Sequence, residues 1–397
     1  MRKIINLNKD HEYVILLQNI IAVTVLVASF WSLIIWSEST SLDFKIVLQP
    51  YSNTIEQLPE FNAWLRWVFG DMTEATFYKS ECAAVGMLLG GVIAHYAMRM
   101  NSRFQGFPIC YGTGLFVWVF LSSTLSLILS NLIWGNFILV DKSWQPTFVA
   151  FVSLPAATVL MYGAGLRVAL VGAFFGAILI TPIALILVNY ICTPFGLPPV
   201  IGTVSAMAIG SVIGFSIYRW KPQVVRPRVT SAQPTLTEEV PPNYGPLWTV
   251  RRVLADFTEA QFFGNEWASI GLIGGLILAI AIEPSSVAYG TGLVGSILIG
   301  QILTSAIGVV LWRKRWVRFG WYPTYIPVVS VVPASILIYG SDPRVIITSS
   351  LLGAIIAPQL AKAISSKLPP HFHPFIGNVC SMAISTTIVI SIIRFIF

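Results

Sequence analysis

Long apolar stretches recur along the whole chain and constrain its fold more than any other feature. Eleven of them come close to the roughly 20 residues that an α-helix needs to cross a bilayer. They lie near residues 13–36, 80–99, 113–135, 146–163, 168–191, 200–219, 266–283, 291–312, 322–340, 344–364 and 375–396. Only 10% of the 397 residues are charged, against about 25% in soluble globular domains. The sequence therefore predicts an all-α polytopic membrane protein with about 11 transmembrane helices, and it excludes a cytosolic enzyme or a nucleic-acid binder.

The basic residues give these spans an orientation. If the first span begins inside the cell, the loops that face the cytoplasm hold 18 of the 24 Lys and Arg residues. Cytoplasmic loops of membrane proteins are enriched in these residues. We therefore expect a cytoplasmic N-terminus and an external C-terminus, in an integral protein of a bacterial inner (plasma) membrane.

Polar motifs of the first half return in the second half, which indicates an internal duplication. Their order is kept, and the offset between matching residues falls only from 185 to 171. The matches include Gly, Pro, Trp and acidic residues, which chance similarity between apolar helices does not explain. The clearest pairs are Asp71-x-Thr73-Glu74-Ala75-x-Phe77 with Asp256-x-Thr258-Glu259-Ala260-x-Phe262, Tyr111-Gly112-Thr113-Gly114 with Tyr289-Gly290-Thr291-Gly292, Trp144 with Trp321, and Pro155 with Pro333.

The duplication defines the expected domains. Residues 1–60 hold an N-terminal transmembrane helix and an outer segment, 61–220 form repeat 1, 221–247 form a Pro-rich cytoplasmic linker, and 248–397 form repeat 2. Each repeat is expected to contain one interfacial helix followed by five transmembrane helices. Because five is odd, repeat 2 would enter the membrane from the side opposite to repeat 1. Such inverted repeats are typical of secondary transporters.

The Tyr-Gly-Thr-Gly motifs are the first candidate binding elements. Each begins the second span of its repeat, and glycines at alternate positions permit left-handed backbone and close approach to a ligand. An unwound turn of this kind could coordinate an ion or substrate, or it could be a tight corner that leads into the helix. The candidate residues are Tyr111, Gly112, Thr113 and Gly114 in repeat 1, and Tyr289, Gly290, Thr291 and Gly292 in repeat 2.

A serine and a proline near the middle of the third span of each repeat are the second candidates. Ser153 precedes Pro155, and Ser330 precedes Pro333. An interior proline removes a backbone donor and kinks or breaks a helix. Backbone left unpaired at bilayer depth must meet protein, water or a ligand. These positions are therefore interpreted either as structural kinks or as parts of a binding site.

Charges inside the spans are few. Arg167 and Arg344 begin matching spans, where they either attract an anionic substrate or anchor the helices at lipid headgroups. Glu81 and Glu266 fall at helix N-termini, where capping explains them. No deep Asp or Glu is expected within a span, which argues against a carboxylate-driven proton mechanism.

Together these features predict a secondary active transporter of a small polar or ionic solute that works by alternating access. Amphipathic stretches at 61–79 and 248–264 precede the spans of each repeat and suggest an elevator-like motion. A coupling cation such as Na⁺ or H⁺ is expected, in symport, with no other cofactor and no metal centre. The alternatives are a channel, a lipid scramblase or, less favoured, a membrane-embedded transferase. The expected partners are the solute, the lipid bilayer and a second copy in a homodimer, and no nucleic acid.

Overall fold

The computed structural model describes residues 2–40, 48–225 and 244–397. All regular elements in these ranges are helices. In chain order the α-helices are α1 (Arg2–Ser39), α2 (Tyr51–Glu56), α3 (Phe61–Met72), α4 (Glu81–Arg99), α5 (Phe116–Trp134), α6 (Asn136–Asp141), α7 (Leu154–Tyr162), α8 (Leu166–Phe175), α9 (Thr181–Leu187), α10 (Pro199–Trp220), α11 (Pro246–Ala255), α12 (Glu266–Ile282), α13 (Val294–Leu311), α14 (Arg313–Phe319), α15 (Val331–Tyr339), α16 (Pro343–Ser365) and α17 (Phe375–Ile396). Most of the predicted linker, 226–243, lies outside the described residues.

Eight helical segments of the described chain are long and apolar enough to cross a membrane, as an α-helical membrane protein requires. They are Glu12–Ser39, Glu81–Arg99, Phe116–Trp134, Leu166–Cys192, Pro199–Trp220, Val294–Leu311, Pro343–Ser365 and Phe375–Ile396. The segment Leu166–Cys192 joins α8 and α9 through two π-helical stretches. The other three predicted spans coincide with the shorter apolar helices Thr147–Tyr162, Glu266–Ile282 and Ile326–Tyr339. The expected count of 11 is therefore not reached by length alone.

Two of the shorter segments are short because the helix is interrupted. A 3₁₀ turn at Thr147–Ala150 precedes α7, and one at Ile326–Val329 precedes α15. The interruption falls at Ser153 (φ −140°, ψ −127°) and at Ser330 (φ −148°, ψ −77°). Proline follows within the first turn of the new helix, where its missing N–H leaves no intrahelical bond unmade. The expected mid-helix prolines are thus helix-starting prolines.

The first long helix of each repeat packs against its counterpart at the centre of the molecule. A Cβ atom added to Gly86 would lie 2.0 Å from the Gly271 carbonyl oxygen, and one added to Gly271 equally close to that of Gly86. On either side, Gly90 lies against Trp267 and Gly275 against Cys82. The partner number falls as the residue number rises, so α4 and α12 run antiparallel. Small residues permit this backbone approach.

The last helix of each repeat forms a second contact between the halves. Helix α10 packs against α17, and both lie at the same distance from the end of their repeats. Helix α1 packs against α11, α12 and α13, so the N-terminal helix is attached to the second half. The space enclosed between the α4–α12 contact and the α10–α17 contact is where the candidate site lies.

Candidate functional site: a cavity shared by both repeats

A cavity of about 480 Å³ lies between the repeats. Its walls come from both halves of the chain, and most wall residues occur as pairs at matching positions in the duplication. Such pairs are Glu74 and Glu259, Trp144 and Trp321, Tyr111 and Tyr289, Phe77 and Phe262, Val204 and Val379, and Met207 and Met382. The cavity is therefore built twice from one motif set, around the repeated Asp-x-Thr-Glu-Ala sequence.

The first acidic cluster consists of Asp71, Glu74 and Lys79, all three almost fully buried. It forms because α3 ends at Met72 and a 3₁₀ turn, Glu74–Thr76, turns the chain back towards the core. The Lys79 ammonium pairs with Asp71, and it lies 2.8 Å from Glu74 Oε2. This single cation neutralises one of the two negative charges.

Neutral side chains complete the hydrogen bonding of the first acidic cluster. Asp71 Oδ2 accepts from Thr147 Oγ1 at 2.7 Å and from Asn131 Nδ2 at 3.0 Å. Glu74 Oε1 accepts from the Trp144 indole N–H and from the Tyr289 hydroxyl, the latter at 3.0 Å. Asp71 is thus turned into the protein, whereas Glu74 faces the cavity.

The second acidic cluster consists of Arg252, Asp256 and Glu259, and it repeats this arrangement. Arg252 Nη2 lies 2.8 Å from Asp256 Oδ1 and 2.7 Å from Glu259 Oε2. Glu259 Oε1 accepts from Trp321 Nε1 at 2.7 Å, as Glu74 does from Trp144. Asp256 is held by two hydroxyl groups, Ser305 Oγ at 2.7 Å and Thr324 Oγ1 at 3.2 Å.

The cations of the two clusters come from different positions of the repeat. The counterpart of Lys79 is Gly264, and the counterpart of Arg252 is Trp67. Each exchange is accommodated locally. The Lys79 ammonium lies 3.6 Å above the Trp67 ring centre, while a Cβ at Gly264 would lie 2.6 Å from Glu259 Oε2.

Each Tyr-Gly-Thr-Gly turn places its tyrosine beside the acidic cluster of the other repeat. Tyr289 donates to Glu74, and Tyr111 lies in the electrostatic field of Glu259. Backbone bonds fix this exchange: Cys110 N donates to Phe263 O at 3.0 Å, and Ala288 N donates to Tyr78 O at 2.7 Å. The two turns are therefore exchanged between the repeats.

The turns are strained as well as exchanged. Cys110 (φ 50°), Tyr111 (φ 58°) and Gly112 (φ 72°) are consecutive left-handed residues, and Ala288, Tyr289 and Gly290 repeat this conformation. Left-handed non-glycine residues cost about 1–3 kcal/mol each and persist only where their surroundings enforce them. The strain directs both tyrosine rings to the cavity.

The remaining residues of these motifs serve the turn itself. Thr113 Oγ1 donates to Cys110 O at 2.8 Å, and Thr291 Oγ1 donates to Ala288 O at 2.8 Å. Neither threonine belongs to the described cavity wall, nor do Gly112, Gly114, Gly290 and Gly292. Of the predicted binding motif, the two tyrosines alone reach the cavity.

The serine and proline candidates also lie outside the described cavity wall. Ser153 Oγ donates to Val149 O at 2.5 Å, and Ser330 Oγ donates to Ile326 O at 2.7 Å. Pro155 packs against α8, where a Cβ at Gly176 would lie 2.5 Å from Pro155 Cγ. These residues shape the break next to the cavity.

The two arginine candidates are exposed and far from the acidic clusters in their contacts. Arg167 donates to the carbonyls of Gln223 and Val224, at 2.7 and 3.0 Å. Arg344 pairs with Asp342 at 2.7 Å. The structure places both arginines at helix starts on the surface.

The four buried carboxylates are the residues that the sequence analysis missed. Asp71, Glu74, Asp256 and Glu259 lie just before the predicted spans, so hydropathy assigned them to polar connections. Their repetition at a constant offset of 185 was the available signal. Burial of these groups corrects the expectation that no carboxylate lies deep in the protein.

One further titratable group borders the cavity. His373 lies between α16 and α17, and burial lowers its pKa to about 4, so its ring is neutral at physiological pH. No group of three or more His, Cys, Asp or Glu side chains in the described chain could hold a metal ion. No family model, curated protein or solved structure matches this chain, so the interpretation of the site rests on its own geometry.

Proposed function

We propose that the protein is a secondary active transporter that moves a small solute across a bacterial inner membrane by alternating access. The observation that carries the proposal is the cavity whose walls pair Glu74 with Glu259 and Trp144 with Trp321. A site made of matching residues from two repeats is what exchange between two mirror-related states requires. The cavity volume of about 480 Å³ falls within the roughly 300–1,000 Å³ of small-molecule sites.

Inverted topology is part of this proposal. The antiparallel contact of α4 with α12 relates each residue to its own counterpart, with Gly86 opposite Gly271. A two-fold axis that exchanges antiparallel helices is perpendicular to them. If both helices cross the bilayer, this axis lies in the membrane plane and repeat 2 is inverted. The three shorter apolar helices then complete 11 spans, and α3 and α11 act as the arms of an elevator-like motion.

The direct test is solute flux in proteoliposomes that contain the purified protein. Candidate solutes come from a thermal-shift screen, because a ligand that binds only the folded protein raises its melting temperature. We expect saturable uptake, and counterflow when the vesicles are preloaded with the same solute. Continuous ion current without saturation would indicate a channel, and lipid exchange between leaflets without solute uptake would indicate a scramblase; either result would replace the proposal.

A matched pair of variants on α10 places the flux in the cavity. Val204 lines the cavity and is buried, whereas Val212 is 37% exposed on the same helix, outside the described cavity wall. Val204→Trp fills the cavity and is expected to abolish uptake, while Val212→Trp retains it. Folding of both variants is checked by melting temperature and gel filtration. Normal uptake by a folded Val204→Trp protein would separate transport from this cavity.

A further inference from the structure

The formal charge at the cavity is negative on both sides. The first acidic cluster combines two carboxylates with one ammonium, and the second combines two carboxylates with one guanidinium. Each cluster therefore carries a net charge of −1, and in each the glutamate faces the cavity. The described cavity wall contains no Lys or Arg side chain, and His373 is neutral. An occupant of the cavity thus experiences two uncompensated negative charges.

This charge is a property that both repeats build by different means. Lys79 and Arg252 occupy unrelated positions of the duplicated sequence, yet each contacts both carboxylates of its own cluster. A second cation at either equivalent position would have brought a cluster to neutrality. Instead Trp67 and Gly264 stand there. One cation for two buried carboxylates is therefore the balance common to the two halves.

Aromatic rings cover the cavity walls beside each glutamate. Tyr51, Trp144 and Tyr289 surround Glu74, and their rings meet edge to face, with centroids 5.8 Å apart for Tyr51 and Tyr289 and 6.4 Å apart for Trp144 and Tyr289. Trp321, Tyr325 and Tyr111 line the opposite side. Aromatic faces attract cations, most strongly where water is excluded. The Tyr51 hydroxyl is buried and has no hydrogen-bond partner among the described residues.

A bare metal cation fits this arrangement poorly. Hard cations take six or more oxygen ligands at short distance. Here Glu74 Oε1 already accepts two hydrogen bonds, Glu74 Oε2 faces Lys79, and Glu259 is held by Trp321 and Arg252. The rest of the wall is almost wholly apolar or aromatic. The carboxylates act through their field rather than as ligands.

We propose that the cavity binds an organic monovalent cation with an apolar or aromatic body. The two glutamates supply the attraction for charge, and the tryptophan and tyrosine rings cover the apolar body. This inference rests on the proposed transport function and specifies its substrate class.

The test compares two probes of nearly equal size and shape and of opposite charge. Radiolabelled tetraphenylphosphonium is bound to the purified full-length protein in detergent, with protein-free detergent as the blank. Unlabelled tetraphenylphosphonium and tetraphenylborate then compete. We expect saturable binding of the cation, with displacement by the cation and not by the anion. Displacement by both probes alike would show that the cavity recognises shape alone, and absence of cation binding would overturn the proposal directly.

Variants locate this binding at the two glutamates. Glu74→Gln and Glu259→Gln each remove one negative charge and retain size, and we expect each to weaken tetraphenylphosphonium binding by about tenfold or more. Glu81→Gln is the matched control, because Glu81 pairs with Arg66 at 3.1 Å outside the described cavity wall and its loss should leave affinity unchanged. Unchanged affinity in both folded cavity variants would refute the assignment. Where a variant does not fold, the two-probe comparison on the wild-type protein decides.

The outcome is separable from that of the flux experiment. Saturable uptake of a neutral or anionic solute, with no binding of tetraphenylphosphonium, would preserve the transporter and refute the cation site. Charge-selective binding without flux of any solute would preserve the site and refute transport.

Discussion

At the scale of single residues, the molecule is defined by charge placed where water is absent. Lys79 is 3% exposed and Arg252 is 4% exposed, and each contacts two carboxylates. Removing one member of a buried ion pair is strongly destabilising because the charge that remains is uncompensated. The acidic clusters should therefore matter to stability as well as to binding.

This leads to a prediction about compensation. Lys79→Met should destabilise the protein by about 3–5 kcal/mol, seen as a lower melting temperature and lower folded yield. Adding Asp71→Asn should recover much of the loss, because the double variant restores the native cluster charge of −1. The exposed pair of Arg344 with Asp342 is the control, and Arg344→Ala should cost about 1 kcal/mol or less. A double variant no more stable than Lys79→Met would contradict the compensation.

The pH dependence of cation binding follows from one carboxyl group. Glu74 lies in a turn outside the long apolar helices, and burial raises its pKa to about 7, although Lys79 partly opposes this. The groups that face it are Asp71, Lys79, Trp144, Tyr289 and Tyr51. Above pH 7 the ionised form dominates and attracts a cation, and below pH 7 protonation removes that charge.

Binding of tetraphenylphosphonium should therefore weaken severalfold from pH 8 to pH 6. The Glu74→Gln protein should have lower affinity throughout and a flatter profile over the same range. An equally steep profile in the variant would assign the titration to another group.

Residue-scale prediction from sequence succeeded only in part. The tyrosines of the Tyr-Gly-Thr-Gly motifs were identified because glycine spacing marks unusual backbone. The contact of Tyr289 with Glu74 spans 215 positions of the sequence, and no local pattern specifies a partner at that distance. The carboxylates were missed because hydropathy assigns polar residues between apolar runs to water, whereas Lys79 and Arg252 allow them to be buried.

At the scale of helices, the close contact of α4 with α12 depends on missing side chains. A Cβ at Gly271 would overlap the Gly86 carbonyl, and backbone cannot move aside as a flexible side chain can. Gly274 lies on the same helix with nothing within 4 Å of a Cβ at its position. The two glycines therefore form a matched pair for experiment.

We predict that Gly271→Ala lowers folded yield and melting temperature sharply, because the helices must separate. Gly274→Ala should leave both near wild type or raise them slightly, since alanine is the better helix former by about 1 kcal/mol. Measurements of both variants under the same detergent conditions check this. Equal stability of the two would show that the helices yield easily at their crossing.

Helix positions were predicted well, and helix continuity was not. Each apolar run coincides with a helix, because a long apolar segment must satisfy its own backbone hydrogen bonds. The breaks at Ser153 and Ser330 were expected at the prolines, but proline begins a helix as readily as it interrupts one. The sequence does not distinguish these cases, since the choice depends on packing against α8 and α16.

At the scale of the whole molecule, the arrangement in the membrane is the main expectation still open to experiment. The distribution of basic residues and the antiparallel contact of α4 with α12 both favour inversion of repeat 2. We predict that a reporter inserted at residue 230 lies in the cytoplasm and one fused after Phe397 lies outside. A pair that reports the same side would remove inverted topology and, with it, the basis of alternating access.

The exchange of the Tyr-Gly-Thr-Gly turns means that neither half of the chain owns a complete site. Glu74 needs the hydroxyl of Tyr289, and the Phe263 carbonyl needs the Cys110 amide. Fragments 1–225 and 244–397 should therefore complement each other when they are produced together, and each alone should fail to bind tetraphenylphosphonium. Co-purification through a tag on one fragment, with binding restored, is the expected result. Each half would then act as the missing cofactor of the other.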